Sequence, residues 1–434
     1  MSPREEPGER KEPGGREGGG RASDARRADV CVVGAGPAGL TLALLMVRSG
    51  ARVTVLERSR SLDRAYRGEI LQPGGQRLLD SLGVLAGAKR RGCHEHGGFR
   101  LEERGKVLID GDYRRLAGPY NCLLSIPQRH LLAELLERCR AYPGFEYVEG
   151  AKVTGLLEEG GAVRGVTCRA AGDRPPLEVR ALCVVGADGR FSTVRRLAGL
   201  VHDRLDLFDQ DVLWFRLAEP ALENVRIFRA GGSPLLAYTS FPDSVQLGWT
   251  LPHGGYPAMA SQGFAHVKEQ LRRAAPHYAD AIDAQLRGFG DVSLLDVFAG
   301  SVRRWARDGL LLIGDSAHTH SPIGAQGINL AIQDAVAAHP ALCEGIRRGA
   351  VSEALLAPFT AQRARDIRSM TRIQVMQSRM MLSRGRVSSM VRPRAAALVS
   401  RTPAYRSLLR RIAFGNEAVE VRSDLFREEE STAA

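Results

Sequence analysis

A glycine-rich turn close to the N-terminus constrains the fold of this chain more than any other feature. Residues 34–39 read Gly-Ala-Gly-Pro-Ala-Gly, which matches the pattern G-x-G-x-x-G. The apolar residues 30–33 before the turn predict a short buried strand, and residues 40–47 after it predict a helix. Strand, glycine turn and helix in this order are typical of a Rossmann unit, which binds a dinucleotide.

Each glycine of the turn has its own task in such a unit. Gly34 permits the tight turn, Gly36 lets the backbone approach a pyrophosphate, and Gly39 lets helix and strand pack closely. The helix start offers unpaired N–H groups and the positive end of its dipole to phosphates. A second predicted strand, residues 52–56, ends at Glu57, 18 residues after Gly39, where a carboxylate can accept hydrogen bonds from a ribose. This unit alone does not distinguish NAD from FAD.

The bulk composition predicts a cytoplasmic protein with a large core. The chain has 434 residues, 44% of them hydrophobic, which allows about three domains. No apolar run approaches the roughly 20 residues that a membrane span needs. Residues 1–27 are rich in Gly, Pro, Glu and Arg, and predict a disordered tail that lacks the apolar segment of a signal peptide. The seven cysteines include no C-x-x-C pair, which indicates reduced thiols, and no metal-ligand spacing is present.

The net charge of +12 is concentrated in one segment. Residues 347–411 contain 15 arginines, no lysine and two acidic residues. Such a segment can contact an anionic membrane surface, an acidic carrier protein or a negatively charged substrate. Solvated helix faces are the simpler interpretation, because the whole chain has only five lysines and so prefers arginine throughout. Nucleic acid is not expected as a partner, since the segment has few aromatic residues and no recognised binding motif.

A second strand-turn-helix pattern lies in the middle of the chain. Residues 181–185 form an apolar strand that leads into Gly186-Ala187-Asp188-Gly189. Ser192 then stands where it can cap a following helix. The pattern is compatible with a ligand-binding turn or with a purely structural one.

A third pattern of this kind follows after residue 308. Residues 309–313 predict a strand that ends at Gly314 and Asp315, and a loop with two glycines leads into the apolar helix 330–338. Asp315 is suited to accept hydrogen bonds from the hydroxyls of a sugar-like chain. The loop glycines, Gly324 and Gly327, allow backbone N–H groups to come near a flat ring. Three such turns in one chain indicate a single long ligand stretched across several strand ends.

The three motifs in this order resemble the single-component FAD-dependent aromatic hydroxylases, which share the fold of para-hydroxybenzoate hydroxylase. The resemblance rests on GAGPAGL with the downstream Glu57, on GADGRFSTVRR from Gly186, and on LLIGDSAHTHSPIGAQGINLAIQDA at residues 311–335. It covers about residues 28–345. It implies an α/β fold, with a Rossmann-type FAD-binding domain, an inserted antiparallel-sheet substrate domain and a C-terminal helical region. It also implies FAD as the dinucleotide, and NADPH or NADH as the reductant.

The resemblance further implies which residues contact the cofactor. The first turn and Glu57 correspond to positions that hold the ADP half, Asp315 to the position that contacts the ribityl chain and pyrophosphate, and residues 324–329 to the helix start that faces the isoalloxazine ring. Asp188 corresponds to a motif linked to both FAD and NAD(P)H. The full set of expected cofactor contacts is Gly34, Gly36, Pro37, Ala38, Gly39, Glu57, Arg58, Arg67, Arg129, Asp188, Gly314, Asp315, Pro322, Gly324, Ala325, Gln326, Gly327, Ile328 and Asn329.

The pattern of apolar and turn residues between the motifs predicts a second, sheet-based domain. Short alternating or apolar runs separated by turn residues indicate strands at residues 211–218, 225–229, 235–240 and 244–251. Residues 99–114 are expected to add strands to the same sheet. The predicted division is a disordered tail (1–27), an FAD-binding domain (28–92, 120–204 and 296–345), a substrate domain (93–119 and 205–295) and a C-terminal helical region (346–434).

The resemblance implies a monooxygenase reaction. NAD(P)H reduces FAD, reduced FAD reacts with O2 to a flavin 4a-hydroperoxide, and one oxygen atom passes to an electron-rich carbon by hydroxylation or epoxidation. The cofactor supplies this chemistry, while the protein binds, orients and excludes water. No catalytic base is assigned, although His253, His318 and His320 are candidates.

The substrate is expected to be an aromatic or heteroaromatic natural-product intermediate, and the absence of any obvious carboxylate-binding motif favours a large, apolar one. Candidate aromatic residues for its pocket are Trp214, Phe215, Tyr238, Phe241 and Trp249. Strand alternation puts some of them on the wrong face of the sheet. Three other interpretations stay open from the residues alone: an FAD-dependent isoprenoid reductase of the geranylgeranyl type, a flavin-dependent halogenase, and a flavin-bound interaction protein.

Overall fold

The computed structural model describes eight segments of the chain, namely residues 26–62, 68–103, 105–169, 176–205, 207–208, 210–229, 233–382 and 402–427. Their strands are β1 Arg26–Val33, β2 Val53–Glu57, β3 Ile70–Leu71, β4 His94–His96, β5 Gly98–Glu103, β6 Lys106–Asp112, β7 Leu123–Ser125, β8 Phe145–Glu149, β9 Lys152–Glu159, β10 Ala162–Arg169, β11 Leu177–Gly186, β12 His202–Leu205, β13 Gln210–Leu217, β14 Val225–Arg229, β15 Leu235–Ser240, β16 Ser244–Pro252, β17 Val292–Leu295, β18 Ala299–Val302, β19 Ala306–Arg307, β20 Leu310–Leu312 and β21 His318–Thr319.

The helices of these segments are α1 Pro37–Arg48, α2 Pro73–Ser81, α3 Leu85–Arg90, α4 Gln128–Arg140, α5 Thr193–Leu197, α6 Gly255–Ala260, α7 Phe264–Ala274, α8 Ala279–Gln285, α9 Gly327–Arg347, α10 Glu353–Leu382 and α11 Pro403–Phe414. No helix among the described residues is both long enough and apolar enough to cross a membrane.

The first sheet is the Rossmann sheet that the opening motif predicts. Its central path runs β19-β20-β11-β1-β2-β8, and β10 and β9 extend it from β11. The neighbours β20, β11, β1, β2 and β8 are all parallel. Central parallel strands are covered on both faces and therefore consist of continuous apolar runs, as residues 30–33 do. Helix α1 crosses from β1 to β2 and is buried from Ala38 to Val47.

The second sheet contains the strands predicted between residues 211 and 251. Its order is β17-β13-β16-β15-β14-β5-β6. β14 and β15 begin and end at the predicted residues, β13 begins and ends one residue earlier than predicted, and β16 ends one residue later than predicted. The expectation of a purely antiparallel sheet is wrong at one pair, because β14 runs parallel to β5. The connection between these two strands passes through the first sheet, so their relative direction is not fixed by a hairpin.

Alternate residues of the second sheet pack against different partners. Leu213, Phe215 and Leu217 of β13 belong to a core with Val267 of α7 and Ile282 of α8. Val212 and Trp214 belong instead to a core that includes residues of α11. We call the side of Trp214 the inner face and the side covered by α7 and α8 the outer face. The division follows from the two-residue period of a strand.

The structure extends beyond two of the predicted boundaries. β1 begins at Arg26, so Arg26 and Arg27, which were expected in the disordered tail, belong to the central strand. Helix α9 begins at Gly327, three residues before the predicted start, and continues to Arg347. Residues 1–25 and Arg67 lie outside the described residues. The division into domains stays a prediction.

A buried histidine links the end of α1 to α9. His339 is fully buried, and one of its ring nitrogens, Nε2, lies 2.7 Å from the Ser49 hydroxyl. The other, Nδ1, has no hydrogen-bond partner among the described residues. Burial, assisted by the positive charge of Arg422, lowers the pKa of His339 from 6.5 to about 4. The neutral ring is therefore favoured in the folded protein.

We predict that His339 makes the protein acid-labile. Since its folded pKa is depressed, the stabilisation is complete above pH 6.5 and is lost as the pH falls towards 4. At pH 5 the loss is about 2 kcal/mol. Urea denaturation at pH 7.5 and pH 5 should show that the free energy of unfolding of His339→Gln falls by about 2 kcal/mol less than that of the wild type. The matched control is His277→Gln, at an exposed position, which should keep the wild-type dependence of the free energy of unfolding on pH. The same dependence in His339→Gln would contradict the prediction.

Candidate active site

The three turns predicted from the sequence meet at one edge of the first sheet. β20, β11 and β1 are adjacent and parallel, with Leu312 beside Gly186 and Gly186 beside Val33 in register. The carboxyl ends of the three strands therefore lie side by side. In open α/β sheets ligands bind at such an edge.

The first turn is built for close approach to the second. Gly34 has φ +105°, and a Cβ atom added to it would lie 2.5 Å from the Ala187 carbonyl oxygen. Ala187 N–H in turn donates to the Val33 carbonyl, at 2.8 Å. Gly39 is equally constrained, because an added Cβ would lie 2.0 Å from the Gly34 carbonyl oxygen. The predicted roles of Gly34 in the turn and Gly39 in helix–strand packing therefore agree with the geometry.

The start of α1 has the properties of a phosphate site. Gly36 is its N-cap residue, Pro37 occupies the first turn, and no side chain among the described residues caps the helix. The first N–H groups of a helix have no partner within the helix, and the helix dipole is positive there. The arrangement suits a pyrophosphate group.

Glu57 is held against this turn by two backbone amides. Its side chain is buried, Oε2 accepts from Ala35 N–H at 2.8 Å, and Oε1 accepts from Ser59 N–H at 2.9 Å. These two bonds fix the orientation of the Glu57 carboxylate. The predicted hydrogen bond to a ribose is compatible with this position and stays a prediction.

The third turn packs between two helix starts. A Cβ atom added to Gly314 would lie 3.2 Å from Ala38 Cβ in α1 and 3.5 Å from Ala331 Cβ in α9. Asp315 follows, with its side chain about a quarter exposed and 3.8 Å from the Arg190 guanidinium. Asp315 thus lies where α1, α9 and the second motif come together, as expected for a residue that contacts the middle of a long ligand.

The second turn is shaped by its own acidic residue. Asp188 accepts from Thr193 N–H at 2.7 Å and Val194 N–H at 3.1 Å, at the start of α5. Ser192 donates to Asp188 and accepts from Arg195 N–H, which agrees with its predicted capping role. The carboxylate of Asp188 therefore organises its own loop, and its contact with a cofactor stays a prediction.

The loop at residues 321–326 is held in an unusual backbone conformation. Gly324 has φ +75°, and Ala325, the non-glycine residue with positive φ in the described part of the chain, has φ +50°. A positive φ at a non-glycine residue such as Ala325 costs about 1–3 kcal/mol and persists only when the surrounding structure enforces it. Asn329 donates to the Ala325 carbonyl at 2.9 Å, and Gln374 donates to the Ser321 carbonyl at 3.0 Å.

Gln72 fixes this loop from the opposite side. Its side-chain amide donates to the Gly324 carbonyl at 2.9 Å, its backbone N–H donates to Asn329 at 3.0 Å, and its side-chain oxygen accepts from the Tyr113 hydroxyl at 3.0 Å. Helix α9 then begins at Gly327, and no side chain among the described residues caps it. A Cβ atom added to Gly327 would have no atom of another described element within 4 Å. A rigid loop with an open helix start is suited to support a flat ring.

The C-terminal helix takes part in the same site. Gln326 donates to the Ile412 carbonyl and Gln333 donates to the Phe414 carbonyl, both at 2.9 Å. Ala325 packs against an inner-face core that contains Trp214 and Phe414. Sequence reasoning missed Gln72, Tyr113 and the part of α11 in the site, because nothing in their local pattern indicates partners that are up to 257 residues away.

The remaining expected cofactor contacts differ in what surrounds them. Arg58 follows β2 at the same sheet edge and is exposed. Arg129 is half-buried at the start of α4 and lies close enough to Glu69 to affect its ionisation. Pro322 and Ile328 are half-buried on the loop and on α9. These positions are compatible with cofactor contact and do not test it.

Of the three candidate bases, His318 and His320 lie in a buried network, whereas His253 is exposed. His318 Nε2 lies 2.6 Å from Asp334 and its Nδ1 lies 2.7 Å from His320 Nε2. Burial, with His318 beside it, lowers the pKa of His320 well below its usual value. His253 contacts Asp211 at 2.9 Å, and Asp211 also accepts from two backbone amides. With Asp296 these two residues form the one group among the described residues close enough for metal ligation, and the occupied Asp211 oxygens indicate a structural role.

The aromatic shortlist divides between the two faces of the second sheet. Trp214 and Tyr238 lie on the inner face, with ring centroids 6.4 Å apart and an interplanar angle of 72°. Phe215 and Trp249 belong to the outer-face core and not to the core that Ala325 contacts, in agreement with the expectation that strand alternation divides the shortlist between two faces. Phe241 stacks edge-to-face on His130 instead. The inner face, which adjoins the 321–326 loop, is therefore the candidate substrate wall.

Comparison with known proteins agrees with this geometry. A family model described as an FAD binding domain matches residues 27–374. The 6-methylpretetramide 4-monooxygenase of Streptomyces rimosus is 73% identical over 408 residues, covering 94% of this chain and 97% of that protein. The crystal structure of Pseudomonas aeruginosa PqsL with 2-aminobenzoylacetate superposes with a TM-score of 0.72 at 25% identity, covering 86% of this chain and 99% of that one. OxyS anhydrotetracycline hydroxylase from S. rimosus superposes with a TM-score of 0.71 at 25% identity, covering 89% of this chain and 76% of that one.

Proposed function

We propose that this chain, which belongs to the FAD-binding-domain family of flavin-dependent monooxygenases, hydroxylates a polycyclic phenolic amide of the 6-methylpretetramide class. It is a monooxygenase that uses FAD, with NAD(P)H as the reductant. One observation carries the substrate proposal: the 73% identity to a 6-methylpretetramide 4-monooxygenase extends over 94% of the chain. It therefore includes the inner face of the second sheet as well as the cofactor turns.

The residues at the sheet edge fit FAD. The close approach at Gly34, the uncapped start of α1 and the oriented carboxylate of Glu57 suit an adenosine diphosphate group. The rigid 321–326 loop and the open start of α9 suit a flat ring at the other end. When bound, FAD activates O2 for transfer of one oxygen atom to the substrate. The chain's own residues orient the ring and the substrate, and exclude water from between them.

Asp315 is predicted to hold the middle of FAD. Replacement of Asp315 by alanine removes an acceptor that lies between α1, α9 and Arg190. We expect a rise of about tenfold in the Kd for FAD, corresponding to about 1.4 kcal/mol. Fluorescence titration of the FAD-free protein with FAD measures this, with Asp308→Ala, which removes an acidic residue just before β20, as the control. An unchanged Kd in Asp315→Ala would count against the assignment.

An open cavity beside the candidate site supports a large substrate. It has a volume of about 610 Å³ and is lined by Leu207, Val375, Met376 and two arginines of α10. Val375 packs against the inner-face core that contains Trp214. Gln374, the residue before Val375 on α10, donates hydrogen bonds to the 321–326 loop. A substrate with several fused rings can therefore extend from the inner face into this space.

The proposal is tested with the purified, FAD-loaded protein. 6-Methylpretetramide should accelerate NAD(P)H oxidation and give a product heavier by one oxygen atom, detected by mass spectrometry. Anhydrotetracycline, named as the substrate of OxyS, serves as a comparison compound of similar size. Faster turnover of anhydrotetracycline, or no product from 6-methylpretetramide, would contradict the substrate proposal and leave the family assignment intact.

Localisation and contacts of the Arg-rich segment are part of the same proposal. We propose that the enzyme acts in the cytoplasm, which is supported by the seven free cysteines and by the need for NAD(P)H.

Several arginines of residues 347–411 are engaged within the chain: Arg347 with Glu344, Arg363 with Asp334, and Arg410 with Glu417. These pairs favour solvated or structural arginines over a membrane or carrier-protein contact.

A further inference from the structure

Residues 416–427, which we call the C-terminal strap, connect the end of α11 with helix α2. The strap follows Gly415, the C-cap residue of α11. Arg77 of α2 donates to two backbone carbonyls of the strap, those of Glu417 and Val419, both at 3.0 Å. The Val419 side chain is 4% exposed and belongs to the main hydrophobic core. The first half of the strap is thus held by Arg77 and by the burial of Val419.

The far end of the strap is attached beside the end of α1. Arg427 N–H donates to the Arg48 carbonyl at 2.8 Å, and the Arg48 guanidinium lies 4.1 Å from the centroid of the Phe426 ring. The same ring packs against the buried His339 of α9, with ring centroids 5.8 Å apart. Phe426 therefore attaches this end of the strap to both α1 and α9, and a cation over an aromatic face adds to the contact.

The strap is built to open without unfolding of the rest of the protein. Apart from the 3-10 turn Ser423–Leu425, its residues form neither helix nor strand, and all of them except Val419 are half-buried or exposed. Segments with few buried apolar contacts and exposed backbone hydrogen bonds open locally at a low free energy. Gly415 precedes the strap with φ +65°, a conformation that glycine adopts readily.

The last carbonyls of α11, just before the strap, are bound by residues of the candidate cofactor site. Carbonyls in the last turn of a helix have no partner within the helix. Gln326, on the 321–326 loop, donates to the Ile412 carbonyl, and Gln333 of α9 donates to the Phe414 carbonyl. Both glutamines are buried. Separation of α11 from them would leave buried polar groups without partners, which is unfavourable.

The contact between α11 and this site leaves little room for movement. A Cβ atom added to Gly415 would lie 2.7 Å from Gln333 Nε2, and one added to Gly74 of α2 would lie 2.5 Å from the Phe414 carbonyl oxygen. The end of α11 is thus enclosed between α2 and α9. Displacement of the strap at Gly415 therefore disturbs the groups that hold the 321–326 loop.

We propose that docking of the C-terminal strap is coupled to binding of FAD, so that the strap is held down while FAD is bound and opens when FAD leaves. The inference rests on the proposed placement of FAD, because it requires the cofactor ring to meet the 321–326 loop. FAD in contact with this loop favours the loop conformation that binds the end of α11, and so favours the docked strap. Coupling between two sites is reciprocal, so the docked strap raises the affinity for FAD by the same factor.

The coupling predicts a change in hydrogen exchange that a permanently docked strap would not show. Val419 N–H donates to the Asn416 carbonyl and Arg427 N–H to the Arg48 carbonyl, and both bonds report the docked state. We expect FAD to slow amide exchange in residues 416–427 by about tenfold, a factor typical of coupled sites. Residues 264–285, which contain α7 and α8 on the outer face, should change by less than about twofold. Mass spectrometry of peptides from the FAD-free and the FAD-loaded protein measures both.

Two variants weaken the strap at positions outside the expected cofactor contacts. Phe426→Ala removes the ring that packs on Arg48 and His339, and Arg77→Met removes the bonds to Glu417 and Val419. The dissociation rate of FAD should rise by about tenfold in Phe426→Ala and in the same direction in Arg77→Met. The fluorescence of released FAD measures this rate.

The matched control is Phe289→Ala. Phe289 is also a surface phenylalanine, but it packs on Phe264 at the start of α7, with ring centroids 5.3 Å apart. This variant should release FAD at the wild-type rate. The melting temperatures of the FAD-free proteins identify any loss of folding. If Phe426→Ala does not fold, Arg77→Met carries the comparison.

Each outcome decides a different point. Slower exchange of the strap with FAD, together with faster FAD loss from the strap variants only, supports the inference. Equal exchange of the strap with and without FAD overturns it, as does wild-type FAD loss from both strap variants or equally fast loss from Phe289→Ala. Asp315→Ala tests the placement of FAD separately. A raised Kd for FAD in Asp315→Ala, with unaffected strap variants, overturns the coupling alone, whereas an unchanged Kd there contradicts the placement.

Discussion

Replacement of Gly36 by valine is expected to abolish FAD binding while the protein stays folded. Gly36 is the N-cap residue of α1, with φ −83° and ψ −176°. This is extended backbone, which a β-branched residue adopts without strain. The backbone at Gly36 therefore admits a valine, and we expect its isopropyl group to occupy the space over the helix start where a pyrophosphate must approach the backbone.

The Kd for FAD should rise by at least about 100-fold in Gly36→Val, which corresponds to about 2.7 kcal/mol. Gly36→Ala provides a graded comparison, since its single methyl group obstructs the same space less. Circular dichroism and the melting temperature of the FAD-free proteins establish that folding is retained. A yellow, fully FAD-loaded Gly36→Val protein would contradict the assignment of the first turn to the pyrophosphate.

Loss of the Arg363 side chain is expected to be the most destabilising single change in the described core. Arg363 is fully buried on α10, and its Nε donates to Asp334 Oδ1 at 2.7 Å. Asp334 also contacts His318 at 2.6 Å and accepts from Gly314 N–H at 2.8 Å. Burial alone would raise the pKa of Asp334, but its contacts with His318 and Arg363 together hold it well below its usual value.

Arg363→Met leaves the Asp334 carboxylate in the core without its main counterion. Removal of one partner of a buried pair typically costs about 3–5 kcal/mol. The control is Arg347→Met, which breaks an exposed pair with Glu344 and should cost less than about 1 kcal/mol. The urea midpoints of the FAD-free proteins at pH 7.5 measure both. Equal midpoints for the two variants would show that the buried pair contributes no more than a surface one.

Arg363→Met should also weaken the third turn. Asp334 is the acceptor for Gly314 N–H, and Gly314 precedes Asp315 at the meeting point of α1 and α9. The histidines of the same network, His318 and His320, therefore act as structural supports of the cofactor turn in the described structure. This explains why a base cannot be assigned to them from their proximity to the Gly-Asp motif.

Much of the fold was predictable because its signals are local. The glycine turn at residues 34–39 dictates strand, turn and helix by backbone geometry alone, and β14 and β15 coincide with the predicted strands. The convergence of the three turns was also predictable, since the carboxyl ends of adjacent parallel strands share one edge. The parallel pairing of β14 with β5 was not, because a strand's own pattern does not specify the direction of its neighbour.

The unpredicted parts of the site depend on distant partners. Gln72 reaches Gly324, Gln326 reaches the end of α11, and Glu69 reaches Arg216. Each of these polar residues stands between apolar or glycine neighbours, which indicates a buried hydrogen bond but not the identity of its partner. The choice between Trp214 and Phe215 as pocket residues likewise required knowledge of which face of the sheet α7 and α8 cover.

This chain is a flavin-dependent monooxygenase, and we propose that its substrate belongs to the 6-methylpretetramide class. The most direct measurement is a reaction of the FAD-loaded enzyme with NAD(P)H and 6-methylpretetramide under ¹⁸O2, followed by mass spectrometry of the product. The expected result is a product that carries one ¹⁸O atom and forms in proportion to the NAD(P)H consumed. A product without ¹⁸O, or a reduced product formed in the absence of O2, would contradict the claim and favour a flavin-dependent reductase.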